Sequence, residues 1–197
     1  MFFLRLIRES WERVVKRIEY IRTYIVLKRN RVEIGKESIK NINGVPFIVN
    51  CGTCVIGDRV TLNSKYSANA IGGQTFLSIV VKENAKLVID DDSGISNSAI
   101  YCAQEIQIGK KVSIGGDCKI YDTDFHSIHL SERNTNVKSS PVIIKDGVFI
   151  GTGAIILKGV TIGTESVIGA GSVVTKNIPD YEVWAGNPAK FIKKLKS

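Results

Sequence analysis

The chain has two histidines, His126 and His129, in a segment that also contains Asp122 and Asp124. Imidazole accepts a proton near neutral pH, so a histidine held in a fixed position can act as a general base. Asp122 and Asp124 are close enough in sequence for one of them to accept the second imidazole N–H and fix the tautomer of the ring. The alternative is that both acids cap turns. We interpret His129 as an exposed, inert side chain.

The part of the chain that has to hold this segment in place contains a six-residue repeat. From residue 142 onwards an aliphatic residue recurs at every sixth position: Ile144, Ile150, Ile156, Ile162, Ile168 and Val174. A small or β-branched residue follows four positions later, at Val148, Ala154, Val160, Ser166 and Ser172. This period fits neither an amphipathic helix nor an alternating strand. It predicts a coil of short strands with aliphatic residues inside, in which stacked coils bury what a single coil cannot.

The repeat extends towards the N-terminus with decreasing regularity. One series has Ile108, Ile114 and Ile120 with Val112 and Cys118 at the small positions, and another has Ile89 and Ile95 with Ser93 and Ala99. Before these, Ile34 with Ser38 and Ile56 with Val60 fit the rule, whereas residues 66–74 do not, so the first coils should be irregular. The polar segment 126–140 predicts a loop extruded from the coil, a common place for function. Asp124 occupies a position where the repeat has a small residue, which is typical of a functional site.

Most of the positive charge lies near the N-terminus. The net charge is +8, and residues 1–31 contribute nine basic and three acidic residues, or 9 − 3 = +6. The remainder is nearly balanced, and its aromatic and basic residues do not interleave, so no nucleic-acid partner is expected.

The same N-terminal segment predicts an amphipathic helix. Apolar residues alternate steps of three and four at Leu4, Ile7, Trp11, Val14, Ile18, Ile21 and Ile25. This stripe could cap the open end of the coil. Alternatively, residues 1–25 could lie on a membrane surface, although three glutamates weaken that interpretation.

Charged residues interrupt the opening apolar run at Arg5, Arg8 and Glu9, and no segment reaches membrane-spanning length. We therefore expect a cytoplasmic protein, with contact at the inner membrane surface as the further alternative, and reduced cysteines. Cys51 and Cys54 form a lone CxxC pair, interpreted as small residues of a packed coil because no second pair or nearby histidine completes a zinc or redox site.

Two stretches resemble a known family. Residues 150–195 (IGTGAIILKGVTIGTESVIGAGSVVTKNIPDYEVWAGNPAKFIKKL) resemble the C-terminal part of hexapeptide-repeat acetyltransferases such as the galactoside and maltose O-acetyltransferases. Residues 114–128 (IGGDCKIYDTDFHSI) resemble the active-site coil of enzymes that acetylate bacterial polysaccharides. The resemblance implies an all-β fold, a left-handed parallel β-helix. We expect an N-terminal helical segment over 1–31, the β-helix over 32–178 with the loop at 126–140, and a tail with a short helix over 179–197.

The resemblance also implies a homotrimer that binds acetyl-CoA between neighbouring subunits, with His126 as the catalytic histidine. The matching coenzyme positions are Phe149, Gly151, Thr152, Gly169, Ala170, Thr175, Lys190 and Lys193. Backbone N–H groups of Gly151 and Gly169 are expected to reach pantetheine carbonyls or the oxyanion. The two lysines would meet phosphates, or else form a solvated helix face. Candidate acceptor-binding residues one coil before the histidine are Asn97, Ser98 and Tyr101, each of which could equally be a turn residue.

These features predict an acetyl-CoA-dependent O-acetyltransferase acting on a sugar or glycan acceptor, with no metal. An N-acetyltransferase for an amino sugar or nucleotide-linked amino sugar, and a non-catalytic β-helix scaffold, stay open. A γ-type carbonic anhydrase is disfavoured, because its interfacial zinc needs three histidines and this chain offers two.

Overall fold

The computed structural model describes residues 2–70 and 75–196. Within these residues one α-helix, α1 (Phe2–Arg29), precedes twenty short strands. The strands are β1 (Glu33–Ile34), β2 (Ile42–Gly44), β3 (Phe47–Asn50), β4 (Thr53–Ile56), β5 (Thr61–Ser64), β6 (Ser78–Val81), β7 (Lys86–Ile89), β8 (Gly94–Ser96), β9 (Ala99–Cys102), β10 (Glu105–Ile108), β11 (Ser113–Ile114), β12 (Lys119–Tyr121), β13 (Val142–Ile144), β14 (Phe149–Ile150), β15 (Ile155–Ile156), β16 (Thr161–Ile162), β17 (Val167–Ile168), β18 (Val173–Val174), β19 (Glu182–Ala185) and β20 (Lys190–Lys194).

The strands build three sheets, which are the three sides of a coil. Sheet A contains β1, β4, β7, β10, β13 and β16, sheet B contains β2, β5, β8, β11, β14, β17, β19 and β20, and sheet C contains β3, β6, β9, β12, β15 and β18. The chain visits A, B and C in turn, so each coil adds one parallel strand to each sheet. The expected left-handed parallel β-helix is confirmed. Its three corners are A–B, B–C and C–A.

The aliphatic residues of the repeat fill the interior. Ile108, Ile144 and Ile162 align across β10, β13 and β16, and all are at most 1% exposed. The other members of the long series, Ile150, Ile156, Ile168 and Val174, are equally buried. Each fully buried side chain of this size contributes about 1.5–3 kcal/mol, so the interior stacks are the main stabilising feature.

Serines at the small positions connect neighbouring coils. Ser93 Oγ donates to the Gly109 carbonyl at 2.7 Å and accepts from the Val112 N–H at 3.0 Å. Ser98 makes the same pair of bonds, to the Gly115 carbonyl and the Cys118 N–H. Ser98 thus takes the place predicted for Ala99, which is only half-buried.

Two segments leave the coil. Residues between β5 and β6 include a short 3₁₀ helix, Tyr66–Ala68, within the stretch expected to be irregular, of which residues 71–74 lie outside the described residues. The second segment joins β12 to β13 and so leaves at the C–A corner. It contains a 3₁₀ turn, Leu130–Glu132, and a bridge between Thr123 and Ser139 closes its root.

The short helix expected within 179–197 is wrong. This tail forms β19, which extends sheet B beside β17, and β20, which pairs antiparallel with β19. Trp184 packs against the core, and Phe191 packs on Trp184 with ring centroids 6.5 Å apart. The free edge of the last coil offers unpaired backbone groups, and pairing with them favours a strand over the helix that the lysine-rich sequence would allow.

Helix α1 contacts the first coil through one face of its C-terminal half. Thr23 and Leu27 are buried, Thr23 Oγ1 donates to the Gly44 carbonyl at 3.1 Å, and Glu19 pairs with Lys65 at 2.7 Å. The described part of the apolar stripe predicted to cap the coil, from Trp11 to Ile25, faces away from it, because its members are 47–67% exposed. No helix in the described part of the chain is long and apolar enough to cross a membrane.

Candidate active site

His126 lies in a turn at the start of the loop, where the chain leaves the coil. The His126 N–H donates to the Asp124 carbonyl at 2.7 Å, and Phe125 between them has φ +60°. This is a γ-turn of the rare positive-φ type, which is strained for a residue with a Cβ. The turn is anchored because the Asp124 N–H donates to the Lys138 carbonyl at 3.0 Å. His126 therefore projects from a fixed turn, and its side chain is exposed.

An aromatic cluster holds the strained turn. The Phe125 ring lies 4.8 Å from the Tyr101 ring and 5.1 Å from the Tyr121 ring, measured between centroids. Tyr101 and Tyr121 are paired neighbours on β9 and β12. Burial raises the pKa of the Tyr121 hydroxyl, so this group stays protonated. The sequence pointed to Tyr101 but missed Phe125 and Tyr121, which the coil-to-coil register would have revealed.

Asn134 contacts the histidine ring. His126 Nδ1 and Asn134 Oδ1 are 3.2 Å apart. With the amide oxygen accepting, Nδ1 carries the proton and Nε2 keeps a free lone pair. Sequence analysis missed Asn134 because it lies within the loop, where the repeat gives no register.

Asp122 does not fit the orienting role predicted for it. Its side chain is fully buried, and its carboxylate accepts N–H bonds from Ala103, Gln104 and Glu105 at 2.6, 2.7 and 2.8 Å. These bonds hold the turn between β9 and β10, as the turn-capping alternative supposed. The side chain points into the preceding coil, and its oxygens are already engaged.

Asp124 forms an ion pair with a lysine of the next coil. Its Oδ2 lies 3.2 Å from Lys158 Nζ, so in the described structure neither acid reaches the imidazole of His126. Asp124 and Lys158 line a cavity of about 380 Å³ under the loop, together with Ile128 and His129.

The outer face of sheet B brings together three of the predicted coenzyme residues. Phe149 on β14 is 51% exposed, and register places it in one column with Val167 and Val183. On β20, Lys193 is opposite Val183 and Lys190 is opposite Ala185, and Ile192 is the extra residue of a bulge between them. Directly opposed residues point to the same face, so both lysines share the outer face with Phe149.

A groove of about 290 Å³ continues this face towards the B–C corner. Its lining includes Phe149, Thr152, Ser96, Ser113 and Asn63. Ala170 belongs to the turn stacked above Thr152 at this corner, since the N–H of Gly171 donates to the Thr152 carbonyl at 2.8 Å. Thr175 instead follows β18 and lies at the C–A corner, away from the groove.

The expectation that the N–H groups of Gly151 and Gly169 face a ligand is wrong. The Gly151 N–H donates to the Ile168 carbonyl and the Gly169 N–H to the Trp184 carbonyl, both at 2.8 Å. A Cβ on Gly151 would lie 2.6 Å from the Ala170 nitrogen. Close stacking of the coils therefore explains this glycine without any ligand.

Asn97 and Ser98 differ sharply despite being neighbours. Ser98 is buried with its hydroxyl engaged between coils, so the predicted contact with an acceptor is wrong for this residue. Asn97 at the B–C corner has φ +40°, and its Nδ2 donates to the Asn69 carbonyl at 3.2 Å. Its buried Oδ1 has no hydrogen-bond partner within the described residues. An unpaired buried oxygen of this kind costs about 1–3 kcal/mol.

Within one chain, His126 and the candidate ligand-binding residues lie at different corners of the coil. His126 projects from the C–A corner, whereas Phe149, Asn97 and Ala170 lie on sheet B or at the B–C corner. Sheet C separates the two corners.

Buried cysteines are poor nucleophiles here. Burial raises the pKa of Cys54 and of Cys102 to about 12, and it also raises the pKa of Cys118. Thiols with such pKa values stay protonated near neutral pH. Cys54 occupies the packed interior as predicted, whereas Cys51 is exposed. Within residues 2–70 and 75–196, no cluster of three His, Cys, Asp or Glu side chains could hold a metal ion.

Residues 141–176 match the family model described as bacterial transferase hexapeptide (six repeats). The chain is 32% identical over 141 residues to the galactoside O-acetyltransferase of Lactococcus lactis, an alignment covering 71% of this chain and 62% of that protein. A hexapeptide-repeat acetyltransferase of Vibrio cholerae superposes with a TM-score of 0.54 at 33% identity, covering 56% of this chain and 64% of that one. The chain is thus similar to the hexapeptide-repeat transferases, over its repeats and over most of its length.

Other relatives of this hexapeptide-repeat chain match shorter segments. The serine acetyltransferase of Buchnera aphidicola is 43% identical over 96 residues, which are 48% of this chain and 35% of that protein. The chain spans between about a third and two thirds of these curated relatives. A polysialic-acid-specific acetyltransferase has the same fold, with a TM-score of 0.58 at 24% identity over 83% of this chain and 80% of that one.

Proposed function

We propose that this protein is an acetyl-CoA-dependent O-acetyltransferase that acts, as a homotrimer, on a hydroxyl of a sugar or polysaccharide precursor. The observation that carries the proposal is the His126 ring, projected by the strained turn and bound at Nδ1 by Asn134. That arrangement leaves Nε2 free to accept a proton. Relatives named as galactoside and serine acetyltransferases support acetyl transfer to a hydroxyl.

His126 would act as the general base. Nε2 takes the hydroxyl proton as the acceptor oxygen attacks the thioester carbonyl carbon. The new C–O bond forms, the C–S bond breaks, and the proton passes from Nε2 to the sulfur of coenzyme A. Asn134 keeps Nδ1–H oriented through both transfers, so it is a positioning residue, and neither Asp122 nor Asp124 is needed for that role.

The outer face of sheet B suits an elongated anionic ligand. Phe149 lies three strands from β20, a separation of about 14 Å at the usual strand spacing. Phe149 offers an apolar surface for the pantetheine arm, and Lys190 and Lys193 offer positive charge for phosphates. Thr152 and Ala170 line the route at the B–C corner.

The acceptor would lie between the aromatic cluster of one subunit and Asn97 of its neighbour. Phe125, which is 40% exposed and lies next to Tyr101, offers an aromatic surface that suits the apolar face of a sugar ring. The unpaired Oδ1 of Asn97 suits a sugar hydroxyl donor.

Assembly into a trimer would bring the C–A corner of one subunit to sheet B of its neighbour. Ile128 and Leu130 near the loop tip are 86% and 81% exposed, and apolar side chains in such a position favour burial against a partner. The site is incomplete within one chain, which also supports a shared site.

Release of free coenzyme A from acetyl-CoA, measured with a panel of sugars, amino sugars and nucleotide sugars, tests this function. His126→Ala should lower kcat by about 10²–10⁴ without loss of fold, because general-base catalysis contributes about that much. His129→Ala is the matched control and should change kcat little. A well-folded His126→Ala protein with full activity would rule out this mechanism, and turnover with amino acceptors alone would replace O- by N-acetylation.

A further inference from the structure

Helix α1 carries an apolar stripe that the fold leaves uncovered. Trp11, Val14, Ile18, Ile21 and Ile25 are each about half exposed or more, from 47% to 67%. They recur at steps of three and four, so they lie along one side of the helix. The opposite side makes the contacts with the coil, through Thr23 and Leu27. Exposed apolar surface of this extent is typical of an interaction site.

The charges of α1 are sorted about this stripe. At 3.6 residues per turn, Arg17, Arg22, Lys28 and Arg29 lie within about 90° of the middle of the stripe. Glu9, Glu12 and Glu19 all lie more than about 110° away, on the side that faces the coil. Glu19 is paired there with Lys65. The glutamates that weaken a membrane interpretation at the sequence level are therefore on the far side of the helix.

This arrangement decides between occupants of the stripe. Packing against copies of α1 in parallel would place Arg17 of one helix next to Arg22 of another, since these positions flank the apolar seam five residues apart. Like charges at such positions oppose association, and no acidic residue flanks the seam between residues 9 and 29 to compensate. An anionic surface, in contrast, meets the apolar stripe and both basic flanks at once.

We propose that α1 docks this protein on an anionic lipid bilayer surface. The helix lies in the interface with the Trp11–Ile25 stripe among the upper acyl chains, and the basic flanks contact lipid phosphates. The coil, attached through Thr23 and Leu27, then stays on the aqueous side. This binding is independent of acetyl transfer.

Flotation of the full chain with vesicles tests the proposal. The protein should float with vesicles of phosphatidylcholine and phosphatidylglycerol, should not float with phosphatidylcholine alone, and should bind less as salt is raised. Replacing Trp11 and Ile18 together by Ser should abolish flotation. Tyr20→Ser is the matched control, because Tyr20 is similarly exposed but lies off the stripe. Trp11 fluorescence should shift to the blue on binding, with Trp184→Phe removing the other tryptophan.

Charge reversal distinguishes docking through one face of α1 from nonspecific electrostatic attraction of the whole protein to the vesicle. Arg17→Glu with Arg22→Glu should lower vesicle partitioning by more than about tenfold, since each basic residue near the surface contributes roughly a fivefold factor. Arg13→Glu with Lys16→Glu changes the net charge equally on the far side and should have a clearly smaller effect. Equal losses in the two variants would overturn the oriented docking.

Two other results would overturn the proposal. One is failure of the wild-type protein to float with anionic vesicles. The other is a smaller oligomer for the Trp11→Ser, Ile18→Ser variant in light scattering without lipid, which would mean that the stripe is buried between copies of this chain. Circular dichroism of each variant checks that α1 is retained.

Discussion

The backbone of Phe125 is strained by its positive φ, and contacts of its side chain hold it in that conformation. A non-glycine residue in this region costs about 1–2 kcal/mol. The two ring contacts of Phe125 contribute about 0.5–1.5 kcal/mol each, which is enough to offset that cost. The cluster thereby fixes the direction in which His126 leaves the coil.

Substitutions of Phe125 should therefore invert the usual order of stability. Phe125→Ala loses the rings and keeps the strain, whereas Phe125→Gly loses the rings and releases the strain. We expect the Gly variant to be the more stable by about 1 kcal/mol in denaturant unfolding, with kcat lowered in both. Phe125→Tyr should retain stability and kcat, because it keeps the rings. An Ala variant as stable as the Gly variant would show that the turn is not strained.

The role of a residue was predictable from the sequence where the six-residue repeat determines it. It was not predictable where the role depends on a hydrogen-bond partner in a neighbouring coil. The buried isoleucines follow from local period alone. Asp122 and Ser98 were assigned to the site, although their partners are backbone groups one coil away. The coil length varies, for example 173 − 155 = 18 residues in one coil and 99 − 78 = 21 in another, so sequence spacing could not identify those partners. Asn134 lies in a loop that has no register at all.

At the scale of elements, the C-terminal tail was predicted to be a helix and forms a strand pair. Steps of three and four between lysines suit a helix, but the open edge of sheet B stabilises β19 and β20. The bulge at Ile192 has a consequence for chemistry, because it puts Lys193 on the outer face and leaves Lys194, opposite the buried Glu182, on the other.

The two neighbouring lysines of β20 should accordingly differ in their effect on the coenzyme. Lys193→Ala should raise the KM for acetyl-CoA by about three- to tenfold, since one charge-assisted hydrogen bond is worth about 1 kcal/mol or slightly more when partly solvated. Lys194→Ala should leave the KM nearly unchanged, and kcat should be similar in both. If Lys194 proved the more important, the tail would be helical in solution, with Lys190 and Lys194 on one face.

At the scale of the whole molecule, the three corners of the coil determine what one chain can do. The hexapeptide period was sufficient to predict a coil of short strands, because each side repeats the same local rule, whereas the left-handed parallel β-helix followed from the family resemblance. The separation of His126 from sheet B was not predictable, since it depends on which corner each segment occupies. If His126 is the base and the outer face of sheet B binds the coenzyme, as we propose, a neighbouring subunit has to bring the two together.

Mixed trimers test this division of labour. His126→Ala removes the base, and Ala170→Trp should block the groove at the B–C corner without disturbing the interior, because Ala170 is exposed. Each parent trimer should be nearly inactive.

If the two halves of a site come from different chains, a site is functional when a wild-type His126 meets a wild-type Ala170. In trimers unfolded together in equal amounts and reassembled, this should hold at about a quarter of the sites, so about a quarter of the wild-type activity should return. If both halves came from one chain, every site would keep one defect and no activity would return. Native mass spectrometry of differently tagged chains establishes that mixed trimers have formed, so that a lack of recovery in their presence would contradict the shared site and leave acetyl transfer itself untouched.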